Sequence, residues 1–303
     1  MVSPAARAEI EKMLAGRESE ARLYPDGKPL EQGRRDWEAA ARLVVLPKAA
    51  RFQGADAGGI PSEWMEMAPV NKERAFLLLH GGGYTAGSPK THRKLAASLS
   101  RAANARVLTP AYRLAPEHPF PAGLKDAIKA YGWLLDQGYE ARNIVVGGDS
   151  AGGGLALSML LALRNAGAAL PRAAVLMSAW TDLTVSGASY ERHKRLDPSV
   201  TRKGLREAAK LYAGKMDPAE PRLSPLFADL TGLPPLLLHA GGDELMLDDS
   251  RVFAERARAA GVDVTLRIYD GMWHVHHHAA PEVPEAGAAI NDIAAFIRSQ
   301  FDD

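Results

Sequence analysis

Apolar residues fall into two rhythms along this chain. Continuous runs appear at Ala75-Phe76-Leu77-Leu78-Leu79, Ile144-Val145-Val146 and Leu236-Leu237-Leu238, and residues 173–179 and 264–269 read as further strands. A short run that is apolar at every position predicts a strand buried on both faces, as in parallel sheet. Between the runs, apolar side chains return every three or four positions, which predicts helices over 91–103, 123–135, the stretch LALSMLLALRNAG from Leu155, about 249–260, and 285–301. Residues 106–109 read as a further strand. Residues 51–70, punctuated by Gly58-Gly59 and Pro61, read as paired edge strands. Near the start, Ala5, Ile10, Met13 and Leu14, then Trp37, Ala40, Ala41 and Leu43, recur at helical spacing on either side of a polar break at 24–29. Alternating strands and helices predict the α/β class: one mostly parallel sheet of about eight strands, covered by helices on both faces. Residues 184–222 interrupt that rhythm. They are polar, helix-prone around 206–211, and closed by Asp217-Pro218 and Glu220-Pro221.

Chemistry collects where strands end. The run at 144–146 turns through Gly147-Gly148-Asp149-Ser150-Ala151-Gly152 into a helix. G-x-S-x-G at a strand-to-helix corner is the setting of a nucleophile elbow, with Ser150 exposed at the bend. Side-chain-free neighbours let strand and helix approach closely. The run at 75–79 ends in His80-Gly81-Gly82-Gly83, whose backbone N–H groups are free to point at a ligand and could form an oxyanion hole. The strand at 235–240 ends in Gly241-Gly242-Asp243-Glu244, and the last strand in Asp270-Gly271-Met272-Trp273-His274. In a parallel sheet these ends share one rim, so Ser150, Asp243 and His274 can converge in the chain order of an α/β-hydrolase. A serine hydroxyl needs a base to take its proton, and that base needs an orienting carboxylate. His274 is the expected base and Asp243 the expected carboxylate. Glu244, Asp248 and Asp249 compete for the second role, and His276, His277 and His278 for the first. In the proline-rich segment 112–122, Glu117 and His118 are expected to brace a loop rather than act as an acid–base pair. Four histidines within residues 274–278 cannot all face one ion, so the HVHHH run is read as solvated or pocket-lining side chains and not as a metal site.

Composition narrows the class. The 303 residues suffice for a large core. A net charge of +1 gives no electrostatic case for nucleic acid or an anionic membrane. The lack of cysteine excludes disulfides and thiol nucleophiles. No apolar run is long enough to span a membrane, and the start shows no secretory h-region, so a cytoplasmic protein is expected.

Taken together, His80-Gly81-Gly82-Gly83, YRLAPEHPFPA from Tyr112, Gly148-Asp149-Ser150-Ala151-Gly152-Gly153 and Asp243-Glu244-Leu245 resemble the bacterial hormone-sensitive-lipase-like (family IV) esterases of the α/β-hydrolase fold. The resemblance runs from about Arg74 to Phe301. It implies a catalytic domain over 46–183 and 223–303, with a helical cap made from 1–45 and 184–222. It implies the triad Ser150, Asp243 and His274, and oxyanion donors at the N–H groups of Gly82, Gly83 and Ala151. A serine carboxylesterase for short- to medium-chain esters is the expected activity, with no cofactor, a small-molecule ester as substrate and pairing into a homodimer. An ε-lactone hydrolase using the same triad is the alternative. The segment His276–His278 departs from the bulkier apolar residues usual in that family.

Overall fold

The computed structural model describes residues 2–24 and 27–301. Pro25 and Asp26 of the expected polar break lie outside the described residues, as do Met1, Asp302 and Asp303. The strands are β1 (Ala50–Asp56), β2 (Pro61–Met67), β3 (Asn71–Leu79), β4 (Ala105–Pro110), β5 (Ile144–Asp149), β6 (Ala173–Met177), β7 (Leu236–Gly241) and β8 (Val264–Tyr269). They form one sheet in the order β1-β2-β4-β3-β5-β6-β7-β8. Only the β1–β2 and β2–β4 pairings are antiparallel; the rest are parallel. The expected edge pair is therefore half an edge, because β2 sits between β1 and β4.

The continuous apolar runs are explained by the two faces. In β3, Leu77 and Leu79 enter one core, while Phe76 and Leu78 enter the other. Successive side chains of a strand point to opposite faces, so a strand covered twice must be apolar at every position. The helices α4 (Ala122–Asp136), α5 (Ala151–Asn165) and α8 (Leu247–Ala259) supply residues to the first core. The second is completed by α3 (Arg93–Ala103) and α9 (Pro284–Phe301). Each fully buried leucine contributes about 1.5–3 kcal/mol, so this doubly covered sheet is a rigid platform for the loops on its rim.

Neither 2–45 nor 184–222 adds a strand among the described residues. The first segment holds α1 (Pro4–Leu23) and α2 (Leu30–Ala41), the second α6 (Ser189–Arg192) and α7 (Arg202–Ala213). Ser3 caps α1 by accepting the Ala6 N–H, and Thr201 caps α7 by accepting the Gly204 N–H. Arg34 of α2 fastens this helix to the loops below. It donates to the Thr85 and Ala115 carbonyls at 2.6 and 2.7 Å and forks onto Glu117 at 2.8 and 2.9 Å. Glu117 does brace its loop, and does so through Arg34, which holds its carboxyl down to about 2.

Candidate active site

The turn out of β5 is built around the lack of side chains. A Cβ on Gly152 would collide with the carbonyl oxygens of Leu79 and His80, and one on Gly148 with the Gly152 backbone. With strand and helix this close, Ser150 takes φ 54° and ψ −122° and leads directly into α5. Tyr84, Ser178 and Val275, with φ of 60°, 51° and 54°, are bent the same way around it. For a β-branched residue such as Val275 this is unusual backbone, and its concentration here marks the region as over-determined by its surroundings.

Ser150 and His274 meet: Nε2 of His274 lies 2.9 Å from the Ser150 Oγ. The carboxylate facing His274 on its other side belongs to Glu244, whose Oε2 is 3.7 Å from Nδ1. Asp243, the expected partner, is not brought to His274. Its N–H donates to the Met272 carbonyl at 3.0 Å, and its partly exposed side chain makes no hydrogen bond among the described residues. The reason is the tight packing of the Gly241-Gly242 turn against the backbone of residues 270–273. That turn leaves Asp243 toward the surface and directs the next, longer side chain inward. Glu244 is fully buried, accepting from the Ser178 hydroxyl at 2.5 Å and the Gly241 N–H at 3.1 Å. At 3.7 Å the His274–Glu244 pair is an ion-pair contact longer than a hydrogen bond, and Nδ1 has no hydrogen-bond partner among the described residues. Burial disfavours the imidazolium, but Glu244, aided by Asp197 and Asp149, outweighs it and raises His274 above its usual value.

The other carboxylate competitors have structural work. Asp249 accepts the Thr181 and Asp182 N–H groups and the Tyr190 hydroxyl. Asp248 accepts the Ser189 N–H and pairs with Arg192. Of the other histidines in the run, His276 and His277 are buried away from solvent, with relative exposures of 0% and 1%. This corrects the solvated or pocket-lining reading for those two. They pack with His239, whose Nδ1 is 3.1 Å from His277 Nε2, and burial drives His276 down to about 4 and His239 to about 3. His278 alone of the three lines the pocket.

Opposite Ser150, the glycine loop has φ of 118° at Gly82 and 63° at Gly83, and a Cβ on Gly82 would strike the Ala86 carbonyl. The N–H groups of Gly82, Gly83 and Ala151 have no acceptor among the described residues. Gly81 N–H is held by Asp149 Oδ1 at 3.0 Å, which anchors this loop to the elbow. Burial opposes the charge on Asp149, yet His92 and His278 outweigh it and keep the carboxyl well below its ordinary range. Ser150, His274, Gly82 and Gly83 border a cavity of about 570 Å³. Its walls include Arg17, Glu20 and Trp37 from α1 and α2, and Leu205 and Ala208 from α7. A hydroxyl paired with a buried imidazole, beside three unpaired amide donors, is an arrangement able to attack a carbonyl and receive the resulting oxyanion. Sequence reasoning gave Ser178 no role beside the base, yet it touches Glu244 and the backbone next to His274.

Residues 76–278 match the family of proteins with the alpha/beta hydrolase fold. An acetyl-hydrolase of Streptomyces hygroscopicus is 44% identical over 242 residues, covering 80% of this chain and 81% of that protein. The crystal structure of an esterase from the bacterial hormone-sensitive lipase family superposes with a TM-score of 0.93 at 42% identity, covering 99% of each chain. That of EstE5 soaked with p-nitrophenyl butyrate superposes with a TM-score of 0.93 at 38% identity, over 99% of this chain and 100% of that one.

Proposed function

Because this chain belongs to the bacterial hormone-sensitive-lipase family of α/β-hydrolases and is a carboxylic ester hydrolase, we propose that it cleaves short- to medium-chain esters through an acyl-enzyme on Ser150. The observation that carries this reading is the 2.9 Å contact between Ser150 Oγ and His274 Nε2 at a bend facing the cavity. His274 takes the hydroxyl proton as Oγ attacks the ester carbonyl. The oxyanion is received by the N–H groups of Gly82, Gly83 and Ala151, whose freedom from other acceptors supports that role. His274 then protonates the departing alcohol. Water, deprotonated by the same imidazole, attacks the acyl-enzyme and releases the acid.

In this reading Glu244, not Asp243, orients His274 and stabilises its charged form, as its burial and its 3.7 Å approach support. The segments 1–45 and 184–222 form a cap over the acyl group, supported by their helices in the cavity wall. The names acetyl-hydrolase and p-nitrophenyl butyrate favour short open-chain esters over the lactone alternative. Pairing of two copies through β8 is supported by that strand's place at the sheet edge and by the exposure of Ile268. The test is hydrolysis of p-nitrophenyl esters from acetyl to palmitoyl by the wild type and Ser150→Ala. Loss of nearly all turnover in Ser150→Ala and a maximum at short chains are expected. A Ser150→Ala enzyme with near wild-type turnover overturns the mechanism.

A further inference from the structure

Beside Ser150 lies a cluster that the acyl transfer just proposed leaves largely unused. Asp149 Oδ2 is 3.3 Å from His92 Nε2 and 3.4 Å from His278 Nε2. The three side chains come from the turn before α3, the elbow, and the segment after β8, and their ligand atoms all lie within 4.8 Å of one another. The His92 ring is fixed from its far side, where Nδ1 is 2.8 Å from the Thr91 hydroxyl and 3.2 Å from the Ser88 carbonyl. The Gly81 N–H approaches Nε2 at 3.2 Å and Asp149 Oδ1 at 3.0 Å.

Several features favour a metal. Tetrahedral zinc with bonds of about 2.0–2.1 Å holds neighbouring ligand atoms about 3.3–3.4 Å apart, and the two contacts to Asp149 already have that span. Two imidazoles and a carboxylate suit zinc and its borderline neighbours better than magnesium or calcium. A backbone carbonyl on the far nitrogen of a ligating histidine is a common outer support for such a site, and Ser88 supplies it to His92. Asp149 and His278 also border the cavity, so an exchangeable fourth ligand has room on that side.

We propose that His92, Asp149 and His278 form a binding site for a zinc-class divalent cation, and that its occupancy suppresses ester hydrolysis. The suppressive half rests on the serine mechanism proposed above; the binding half does not. A dication on Asp149 cancels a negative charge that favours the His274 imidazolium, the form created as Ser150 attacks. Its outward ligand also occupies space next to the Ser150 hydroxyl.

The experiment titrates chelator-stripped wild-type and Ser150→Ala protein with Zn²⁺ by calorimetry, with ester hydrolysis followed in parallel for the wild type. One ion per chain is expected in both proteins. Affinity should fall by more than about 10-fold in His92→Asn and His278→Phe. It should stay unchanged in His276→Phe, which alters the same histidine run outside the cluster. Half-exposed His278 keeps the test valid if the buried His92 variant fails to fold. Zinc should inhibit the wild type reversibly, with EDTA restoring the rate, and a higher zinc concentration should be needed in His278→Phe relative to that variant's own metal-free rate. No stoichiometric binding up to millimolar zinc, or binding undiminished in His278→Phe, overturns the site. Stoichiometric binding without inhibition overturns the suppressive half alone, and an inactive Ser150→Ala that still binds zinc keeps the two proposals separate.

Discussion

The Ser178 hydroxyl donates a hydrogen bond to Glu244 Oε2 across 2.5 Å, tying the end of β6 to the turn after β7. Ser178 Oγ in turn accepts the Val275 N–H at 3.0 Å, so one side chain positions both the carboxylate and the backbone next to His274. Ser178→Ala removes a hydrogen bond to a charged group, a contribution of about 1.5–3 kcal/mol. We expect kcat to fall roughly 10- to 100-fold, with KM little changed and the folded circular dichroism spectrum retained. Wild-type kcat in Ser178→Ala would show that Glu244 holds its position without this bond.

Two adjacent carboxylates provide a sharper comparison. Glu244→Gln preserves shape but removes the charge facing His274, and a loss of roughly 10⁴-fold in kcat is expected by analogy with an uncharged triad partner in a serine protease. Asp243→Asn, on a partly exposed side chain without hydrogen bonds, should stay within a few-fold of wild type. Steady-state kinetics on p-nitrophenyl butyrate decide between them, and the reverse order would return the role to Asp243.

The pH profile follows from His274. Only the neutral imidazole can accept the serine proton, and the folded enzyme holds the ring's pKa above its usual 6.5. The limb of kcat/KM governed by this group should therefore rise with pH through a midpoint above 6.5. The same shift stabilises the fold below 6.5, and that contribution is lost as pH climbs through the folded midpoint. In Glu244→Gln the residual activity should titrate at lower pH, because the anion favouring the imidazolium is gone. A midpoint that stays put or moves up would contradict the assignment.

His276 has the opposite sign. Its ring nitrogens have no hydrogen-bond partners among the described residues, and burial takes its pKa from 6.5 down to about 4. Between those values the unfolded chain binds a proton that the folded chain refuses, so stability rises with pH across that window. Replacing the ring by His276→Phe should flatten the pH dependence by about one proton, roughly 1.4 kcal/mol per pH unit. Urea unfolding at pH 7.5 and 5.0 measures the difference. An unchanged dependence would mean that the imidazole reaches solvent or a partner when charged.

Much of the architecture was legible because burial on two faces leaves a plain trace: the runs 75–79 of β3, 144–146 of β5, 173–177 of β6 and 236–238 of β7 are apolar throughout. Ser150 and His274 were legible for another reason. Each follows a strand of the parallel sheet, and the glycines flanking Ser150 are required by the approach of α5 to β3. The carboxylate was not. Asp243 and Glu244 are neighbours on one turn, and which of them faces inward depends on contacts between Gly241, Gly242 and residues 270–273 that lie far apart in sequence. The histidines divided for the same reason. A run of side chains has no inside until the segment after β8 folds back, sending His276 and His277 into the interior and His278 to the pocket.

The Arg34 clamp makes α2 more than a cover. Thr85, whose carbonyl Arg34 grips, donates its own N–H to the Gly82 carbonyl at 3.1 Å. Any displacement of that helix pulls on the loop that would receive the reacting oxygen. The proposed cap and the proposed oxyanion loop thus share one mechanical linkage, and a chain trimmed of its first forty-five residues is expected to have a slack loop as well as an uncovered entrance.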